Sequence, residues 1–168
     1  MEATIYRIPL NTNGGLAITP TPRGGDWLEV EVQRLRQAGV DVLVSALMDD
    51  EQSELGLETE AQTCTSQGIE FVNLPMPDLG TPLDSPNFLS RIAELAAALR
   101  NGRSVAVHCR QSVGRSGLIA TAIMIALGNE MEAAIQIMSK ARGVSVPETQ
   151  EQRNWLATHS PALSKLPS

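Results

Sequence analysis

The chain has 168 residues, of which 42% are hydrophobic but only 3% aromatic, so aliphatic side chains and alanine must form its core. Its net charge of −6 argues against a general nucleic-acid binder, because such a protein needs a basic face. The two cysteines, Cys64 and Cys109, lie far apart and outside any C-x-x-C pair, which argues against a disulfide framework and against a zinc site.

Short apolar runs alternate along the chain with segments of helical periodicity. The predicted strands lie at residues 4–8, 16–18, 40–47, 69–74 and 104–108. The predicted helices lie at residues 27–38, 58–67, 85–100, 116–127, 130–141 and 147–158. This order predicts a single α/β domain over 1–168, in which helices flank a central, mostly parallel sheet and the C-terminal part is helical.

Local signals place the ends of these elements. Asn13-Gly14 is typical of a hairpin turn between the first two strands. The acidic segment 49–57 is predicted to be a loop, as is the proline-rich segment 75–86. Residues 116–127 are apolar on all sides, so that helix should be buried. The expected helix caps are Asp26, Asn129, and Ser145 in a capping box with Glu148.

The sequence predicts a cytoplasmic protein that is not bound to a membrane. The first residues have neither the basic start nor the apolar stretch of a signal peptide. The longest apolar run, 118–127, is too short to span a bilayer. Cys64 lies in a predicted helix and is expected to be a core residue, whereas a reactive Cys109 would need a reducing compartment.

The strongest chemical signal lies between the strand 104–108 and the helix 116–127. The strand ends at His108-Cys109, five residues follow, and Arg115-Ser116 then opens the helix. Such a loop directs several backbone N–H groups and the positive end of a helix at one point, which makes an anion site. Cys109 would lie in that field as a thiolate, the nucleophilic form. Arg115 can hold two phosphate oxygens with its planar guanidinium.

This pattern resembles the signature loop of the cysteine-dependent protein tyrosine and dual-specificity phosphatases. The surrounding sequence is similar to the small stand-alone members related to kinase-associated phosphatase, in residues 23–27, in residues 74–82 and around Gln152. The resemblance implies the phosphatase fold and hydrolysis of phosphotyrosine, phosphoserine or phosphothreonine in a protein or peptide through a phosphocysteine intermediate. It implies no metal, no cofactor, and neither nucleic acid nor membrane as a partner. The implied phosphate-binding loop comprises Arg110, Gln111, Ser112, Val113, Gly114 and Arg115.

The resemblance also implies roles for residues around the loop. Asp78 matches the general acid, which protonates the leaving group and then accepts a proton from water. Ser116 would hydrogen-bond the thiolate and help expel it. His108 would be a scaffold residue, hydrogen-bonded to backbone behind the loop. Gln152 matches the glutamine that positions the hydrolytic water, and Arg23 is a candidate substrate contact.

Several of these residues also have simpler interpretations. A lone cysteine such as Cys109 is commonly a small buried hydrophobe. Asp78 also fits a plain turn aspartate, and Asp84 is a rival acid. Ser116 also fits a helix N-cap, and Arg23 also fits a structural role beside a packed tryptophan.

The sequence departs from the family pattern at two positions. Ser112 stands where the family usually has glycine, so a positive φ there would impose strain. Glu148 stands where tyrosine phosphatases tend to carry a second glutamine, and it receives no catalytic role. Two alternative functions remain: rhodanese-like sulfur transfer, which also uses a cysteine in an anion-binding loop, and a catalytically weak module that binds phosphate esters.

Overall fold

The fold is built on one sheet, seen in a computed structural model that describes residues 3–167; residues 1, 2 and 168 of the predicted domain lie outside that range. Within the described range five strands have the order β1-β2-β5-β3-β4. They are β1 (Tyr6–Ile8), β2 (Leu16–Ile18), β3 (Val42–Ser45), β4 (Glu70–Asn73) and β5 (Val105–His108). The β1–β2 pair is antiparallel and the other pairs are parallel, so the predicted mostly parallel α/β sheet is confirmed.

Helices cover both faces of this sheet. They are α1 (Leu28–Gln37), α2 (Asp49–Glu54), α3 (Glu60–Ser66), α4 (Ser85–Arg100), α5 (Gly114–Ala126), α6 (Met131–Arg142) and α7 (Gln150–Ser164). Side chains of α4 to α7 form the larger apolar cluster with one face, and those of α1 and α3 form the smaller cluster with the other. Because side chains alternate along a strand, Val42 and Val44 of β3 face the larger cluster and Leu43 the smaller one.

Helix α5 lies at the centre of the larger cluster. All of its residues are buried, as its apolar sequence predicts. It packs against α4, α6, α7 and the strands β2 and β5. Its N-terminus is therefore held rigidly at the carboxyl end of β5. In the part of the chain that the structure describes, no helix has the length and apolar character needed to cross a membrane.

The loop prediction for the acidic segment 49–57 was wrong, because Asp49–Glu54 forms α2. Acidic residues in its first turn favour the helix N-terminus, and the Glu51 side chain accepts a hydrogen bond from the Met48 N–H at 3.0 Å. At six residues the helix is too short to show a helical period. Contacts with distant residues, described below, hold it in place.

The predicted helix caps were also wrong. Asp26 lies inside a 3₁₀ turn, Gly25–Trp27, and no side-chain cap bond is formed there. Asn129 donates to the Met124 carbonyl, while the Glu130 carboxylate accepts from the first N–H groups of α6. At α7 the capping box consists of Thr149 and Gln152, so this helix begins at residue 150 rather than 147. At α6 and α7 the capping side chains, Glu130 and Thr149, are those that the preceding loop places within hydrogen-bonding distance of the free N–H groups.

Candidate active site

A tight loop, residues 109–113, connects the end of β5 to the start of α5. The free N–H groups of the first turn of α5 point toward this loop, and the positive end of the helix dipole lies there. Cys109 is only 3% exposed, and Arg115 and Ser116 are buried beside it. The structure thus brings together Cys109, Arg115 and the helix N-terminus, as the sequence motif predicted.

Cys109 and Ser116 form a direct side-chain contact. The Sγ atom of Cys109 lies 3.2 Å from Oγ of Ser116. Because α5 begins at Gly114, Ser116 lies in its first turn and is not the N-cap, which corrects that alternative. Its hydroxyl is placed to donate a hydrogen bond to a thiolate at Cys109.

The guanidinium of Arg115 is fixed by hydrogen bonds to Glu51 and to the Met76 carbonyl. Its Nη1 donates to Glu51 Oε2 at 2.7 Å and to the Met76 carbonyl at 3.1 Å, and its Nη2 donates to Glu51 Oε1 at 2.9 Å. An arginine has five N–H groups. Among the described residues these bonds use three of them, so the Nε–H and one Nη2–H can donate to two oxygens of a phosphate.

Glu51 is a functional residue that the sequence reasoning missed. Burial alone would raise its pKa, but hydrogen bonds from Arg115 and from the Met48 N–H, together with the charge of Arg115, lower the pKa below its ordinary value of 4.5. Burial would likewise lower the pKa of Arg115, but the bonds and charge of Glu51 raise it. The carboxylate therefore keeps Arg115 charged and oriented. Nothing distinguishes Glu51 from the other acidic residues around it in the sequence.

Replacing Glu51 by glutamine should destabilise the fold by roughly 3 kcal/mol at neutral pH, because it leaves a buried arginine without its counter-charge. The lowered pKa means that the ion pair stabilises the fold fully above pH 4.5 and that this contribution is lost as pH falls through the folded-state value. Urea unfolding at pH 7 and in acid should show that the difference in free energy of unfolding between the unmodified protein and the variant shrinks in acid.

Glu54→Gln, an exposed change on the same helix, is the control and should shift stability by less than about 0.5 kcal/mol. A stability difference between the unmodified protein and Glu51→Gln that stays the same in acid would contradict the role of Glu51 as the counter-charge of Arg115.

Asp78 lies at the open edge of the site. Its Oδ1 is 3.5 Å from Nη2 of Arg115, and its side chain is 67% exposed. The loop that carries it, residues 75–84, is held on its upstream side by the bond between Arg115 and the Met76 carbonyl. The rival Asp84 is the N-cap of α4, where its side chain accepts from the Asn87 N–H at 3.0 Å. Asp78 is therefore the carboxylic acid that the structure places beside Arg115 on this loop.

His108 is completely buried behind the phosphate loop. Its Nδ1 lies 3.4 Å from the Cys109 carbonyl oxygen, as expected of a scaffold residue. Its Nε2 lies 2.7 Å from Glu60 Oε2, a buried contact that the sequence reasoning missed. The Thr21 hydroxyl also donates to the Cys109 carbonyl and, at 2.9 Å, to the Arg110 carbonyl. The backbone of the loop is thus contacted from behind by His108 and Thr21, and Glu60 holds His108.

Gln152 is buried where the phosphate loop, α7 and the loop that carries Asp78 (residues 75–84, the acid loop) meet. A Cβ added at Gly114 would lie 3.1 Å from both polar atoms of the Gln152 amide, so a larger residue at this point of the loop would press on that amide. The amide oxygen accepts from the N–H groups of Glu148 and Thr149, and its nitrogen donates to the Gly80 carbonyl at 3.0 Å. The water-positioning role of Gln152 stays a prediction.

Ser112 has a left-handed backbone conformation, with φ of +64°. This left-handed region favours glycine, so the strain expected from the sequence is present. Two hydrogen bonds hold the residue there. Its hydroxyl donates to the Thr19 carbonyl at 2.8 Å, and its carbonyl accepts from Nε of Arg142 at 2.9 Å.

Substitutions at Ser112 should separate the strain from the hydrogen bond. Ser112→Gly relieves the strain and loses the bond, two effects of about 1 kcal/mol each that nearly cancel. Ser112→Ala keeps the strain and loses the bond, so it should be less stable than the glycine variant by about 1 kcal/mol. Urea unfolding of both variants measures this difference. Equal stability of the two would show that serine is not strained there.

Arg110, Gln111 and Arg23 are the remaining candidate residues. Arg110 and Gln111 are exposed, and Arg110 lies 3.4 Å from a carboxylate oxygen of Glu54. Arg23 pairs with Glu31 at 2.7 Å and stacks on the Trp27 ring at 4.3 Å, so its contacts are those of a structural residue. A substrate role for Arg23 stays a prediction. Over residues 3–167 no group of three or more histidine, cysteine or acidic side chains is placed to hold a metal ion.

Comparison with known proteins gives a family match and remote relatives. A family model described as "Tc-R-P: Polymorphic toxin system, DSP-PTPase phosphatase" matches residues 20–129. Cyclin-dependent kinase inhibitor 3 of Rattus norvegicus is 27% identical over 131 residues, which cover 77% of this chain and 61% of the relative. "Putative tyrosine phosphatase 197R" of Invertebrate iridescent virus 6 is 25% identical over 155 residues, which cover 90% of this chain and 54% of the relative. The chain thus spans between about half and three fifths of the length of these relatives.

Among solved structures, a kinase associated phosphatase with its catalytic site cysteine substituted by serine has a similar fold. The TM-score is 0.87 over 98% of each chain, at 22% sequence identity. This likeness shows the fold, and the family model supplies the classification because it matches well over half of the chain. The chain belongs to the DSP-PTPase phosphatases of polymorphic toxin systems, within the protein tyrosine and dual-specificity phosphatase superfamily.

Proposed function

We propose that this chain is a metal-independent phosphatase that hydrolyses phosphate esters on protein side chains, with Cys109 as the nucleophile. One observation carries the proposal. The Sγ atom of Cys109 lies at the helix N-terminus, 3.2 Å from the Ser116 hydroxyl, in the same loop as Arg115, whose guanidinium is fixed by Glu51. The loop N–H groups and Arg115 supply the positive charge that a phosphoryl group requires.

In the first step the Cys109 thiolate attacks the phosphorus atom. An S–P bond forms and the P–O bond to the side chain breaks, which gives a phosphocysteine intermediate. The departing oxygen takes a proton from Asp78, which is exposed at the edge of the site and faces Arg115. Arg115 holds two of the phosphoryl oxygens while their charge is redistributed.

In the second step water attacks the same phosphorus atom. The Asp78 carboxylate accepts a proton from the water as the new P–O bond forms, and the S–P bond breaks. The electron pair of that bond returns to sulfur as a thiolate, which the Ser116 hydroxyl stabilises by a hydrogen bond. Inorganic phosphate and the initial form of the enzyme are the products.

The substrate class follows from the chemistry of the site and from the relatives. The loop binds a phosphate ester, and the viral relative is named as a tyrosine phosphatase, which supports phosphotyrosine among the substrates. We assign the activity to the chain as one catalytic domain acting on phosphorylated proteins. A reducing compartment such as the cytoplasm would keep the Cys109 thiolate active.

Phosphate release from matched phosphotyrosine and phosphothreonine peptides tests this function. The reduced protein, with a chelator present, should release phosphate from at least one peptide, and Cys109→Ser should abolish the release. The ratio of the two rates assigns the specificity class. Release that survives Cys109→Ser would overturn the proposal. If both proteins bind the peptides and neither cleaves them, the chain is a phosphate-binding module instead.

A further inference from the structure

The segment that follows Asp78 is attached to the start of α7. The Gly80 carbonyl accepts a hydrogen bond from the Gln152 side-chain nitrogen at 3.0 Å, and the Leu79 carbonyl accepts one from the Thr149 hydroxyl at 3.4 Å. Leu79 has φ of +62°, a conformation that non-glycine residues adopt only when their surroundings hold them in it. The backbone next to the proposed acid is therefore held in place by these contacts.

The side-chain amide of Gln152 makes three hydrogen bonds to protein groups. Its oxygen accepts from the N–H groups of Glu148 and Thr149 at 3.1 and 3.2 Å, which completes the capping box of α7. Its nitrogen binds the acid loop. Because the residue is also completely buried, this arrangement directs its polar atoms at the loop and the helix cap and away from bulk solvent.

The acid loop is thus fixed on both sides of Asp78. Upstream, the Met76 carbonyl binds Nη1 of Arg115 at 3.1 Å. Downstream, the carbonyl of Gly80 binds Gln152. Asp78 itself is exposed and has its charged partner, Arg115, at 3.5 Å. Two anchors on rigid elements, one on α5 and one on α7, determine where the carboxyl group of Asp78 lies.

We propose that Gln152 is a positioning residue for the general acid: it holds the Asp78 loop against α7 so that the carboxyl group reaches the leaving oxygen. This inference rests on the proposed function. It assigns Gln152 to the first step of the reaction, in which the leaving group is protonated, rather than to the placement of water in the second. The expected consequence is a defect that depends on the leaving group.

Gln152→Glu tests the proposal by replacing the side-chain NH2 group with an oxygen atom. Glutamate keeps an oxygen that can accept from Glu148 and Thr149, and it is a favoured capping-box residue, so α7 should persist. The second oxygen replaces the donor and faces the Gly80 carbonyl, where two acceptors repel each other. A displacement of about 1 Å at the acid is expected to lower the rate with a poor leaving group by about 10²-fold. The loss with a nitrophenyl ester should be at least tenfold smaller.

A control and a double variant complete the experiment. Gln150→Glu makes the same charge change at an exposed position of α7 and should not alter the leaving-group dependence. In the Asp78→Ala background, Gln152→Glu should have little further effect on the poor substrate, because the two changes disable the same step. Circular dichroism checks that α7 is retained. Gln152→Met lacks a donor and bears no charge, and it should show the same leaving-group dependence as Gln152→Glu.

The possible outcomes separate the inference from the function on which it rests. An equal loss with both leaving groups, or accumulation of a phosphorylated enzyme, would overturn the inference and favour the water-positioning role. A dependence on the leaving group that Asp78→Ala shows and Gln152→Glu lacks would also overturn the inference. If Asp78→Ala shows no such defect, or if Cys109→Ser stays active, the proposed function fails first.

Discussion

Replacing Cys109 by serine is expected to lower phosphate release on the order of 10⁵-fold, to the background rate, while phosphate-ester binding stays intact. A serine hydroxyl at this position is a far weaker nucleophile than a thiolate, and the side chain that contacts it, the Ser116 hydroxyl, is not a base that could activate it. The Arg115 guanidinium and the helix N-terminus do not change, so the anion site persists. Steady-state phosphate release and equilibrium binding of a phosphopeptide measure the two effects.

Cys64 provides the matched control for this substitution. It is buried in α3, where burial and, to a smaller extent, the charge of Glu60 raise its pKa to about 12, so it stays a neutral thiol. Cys64→Ala should keep the turnover of the unmodified chain and lose only stability. A comparable loss of turnover in the two variants would contradict the assignment of Cys109 as the nucleophile.

Replacing Asp78 by alanine is expected to slow hydrolysis by about 10²- to 10⁴-fold when the leaving group is poor. An alkoxide or phenoxide leaving group needs a proton in the first step, and Asp78, the proposed acid, is an exposed carboxyl group 3.5 Å from Arg115. With a nitrophenyl ester the loss should be much smaller, because nitrophenolate leaves without much protonation. Rates measured over a series of substituted phenyl phosphates would show a steeper dependence on the leaving group.

Asp84→Ala is the control for Asp78→Ala, since both carboxylates lie on the same loop. Asp84 caps α4, so its loss should lower stability by about 1 kcal/mol without altering the dependence on the leaving group. Equal losses with good and poor leaving groups in Asp78→Ala would contradict the acid assignment.

The architecture around Cys109 was predictable because its signals are local. An apolar strand, a His-Cys pair, a short loop and an apolar helix follow one another directly in the sequence. The parallel sheet follows from the alternation of strands and helices, and the burial of α5 follows from its apolar composition. These features need no knowledge of which distant residues meet.

The supporting carboxylates were not predictable, because their roles depend on long-range contacts. Glu51 is 64 residues from Arg115 in sequence, and Glu60 is 48 residues from His108. Both lie in one acidic stretch of the chain, where each side chain resembles its neighbours. Only the sheet order, with β3 beside β5, brings the end of β3 and the helices that follow it close to the phosphate loop.

The positions of the helix caps depended on competition between nearby residues. At α7 both the Ser145…Glu148 and Thr149…Gln152 pairs have the spacing of a capping box. The second pair forms the box, and both of its side chains also contact the acid loop. Sequence spacing therefore predicted the existence of this helix better than its first residue.

Direct detection of the phosphorylated enzyme tests the central claim most sharply. Ser116→Ala should slow the expulsion of the thiolate, so the intermediate should accumulate when this variant is mixed with substrate and quenched in acid. Mass spectrometry of the digested protein should then find the mass of one phosphoryl group on Cys109, and none in the Cys109→Ser chain. Continued phosphate release by the unmodified enzyme, with the phosphoryl group absent from Cys109 or attached to another residue, would contradict the account.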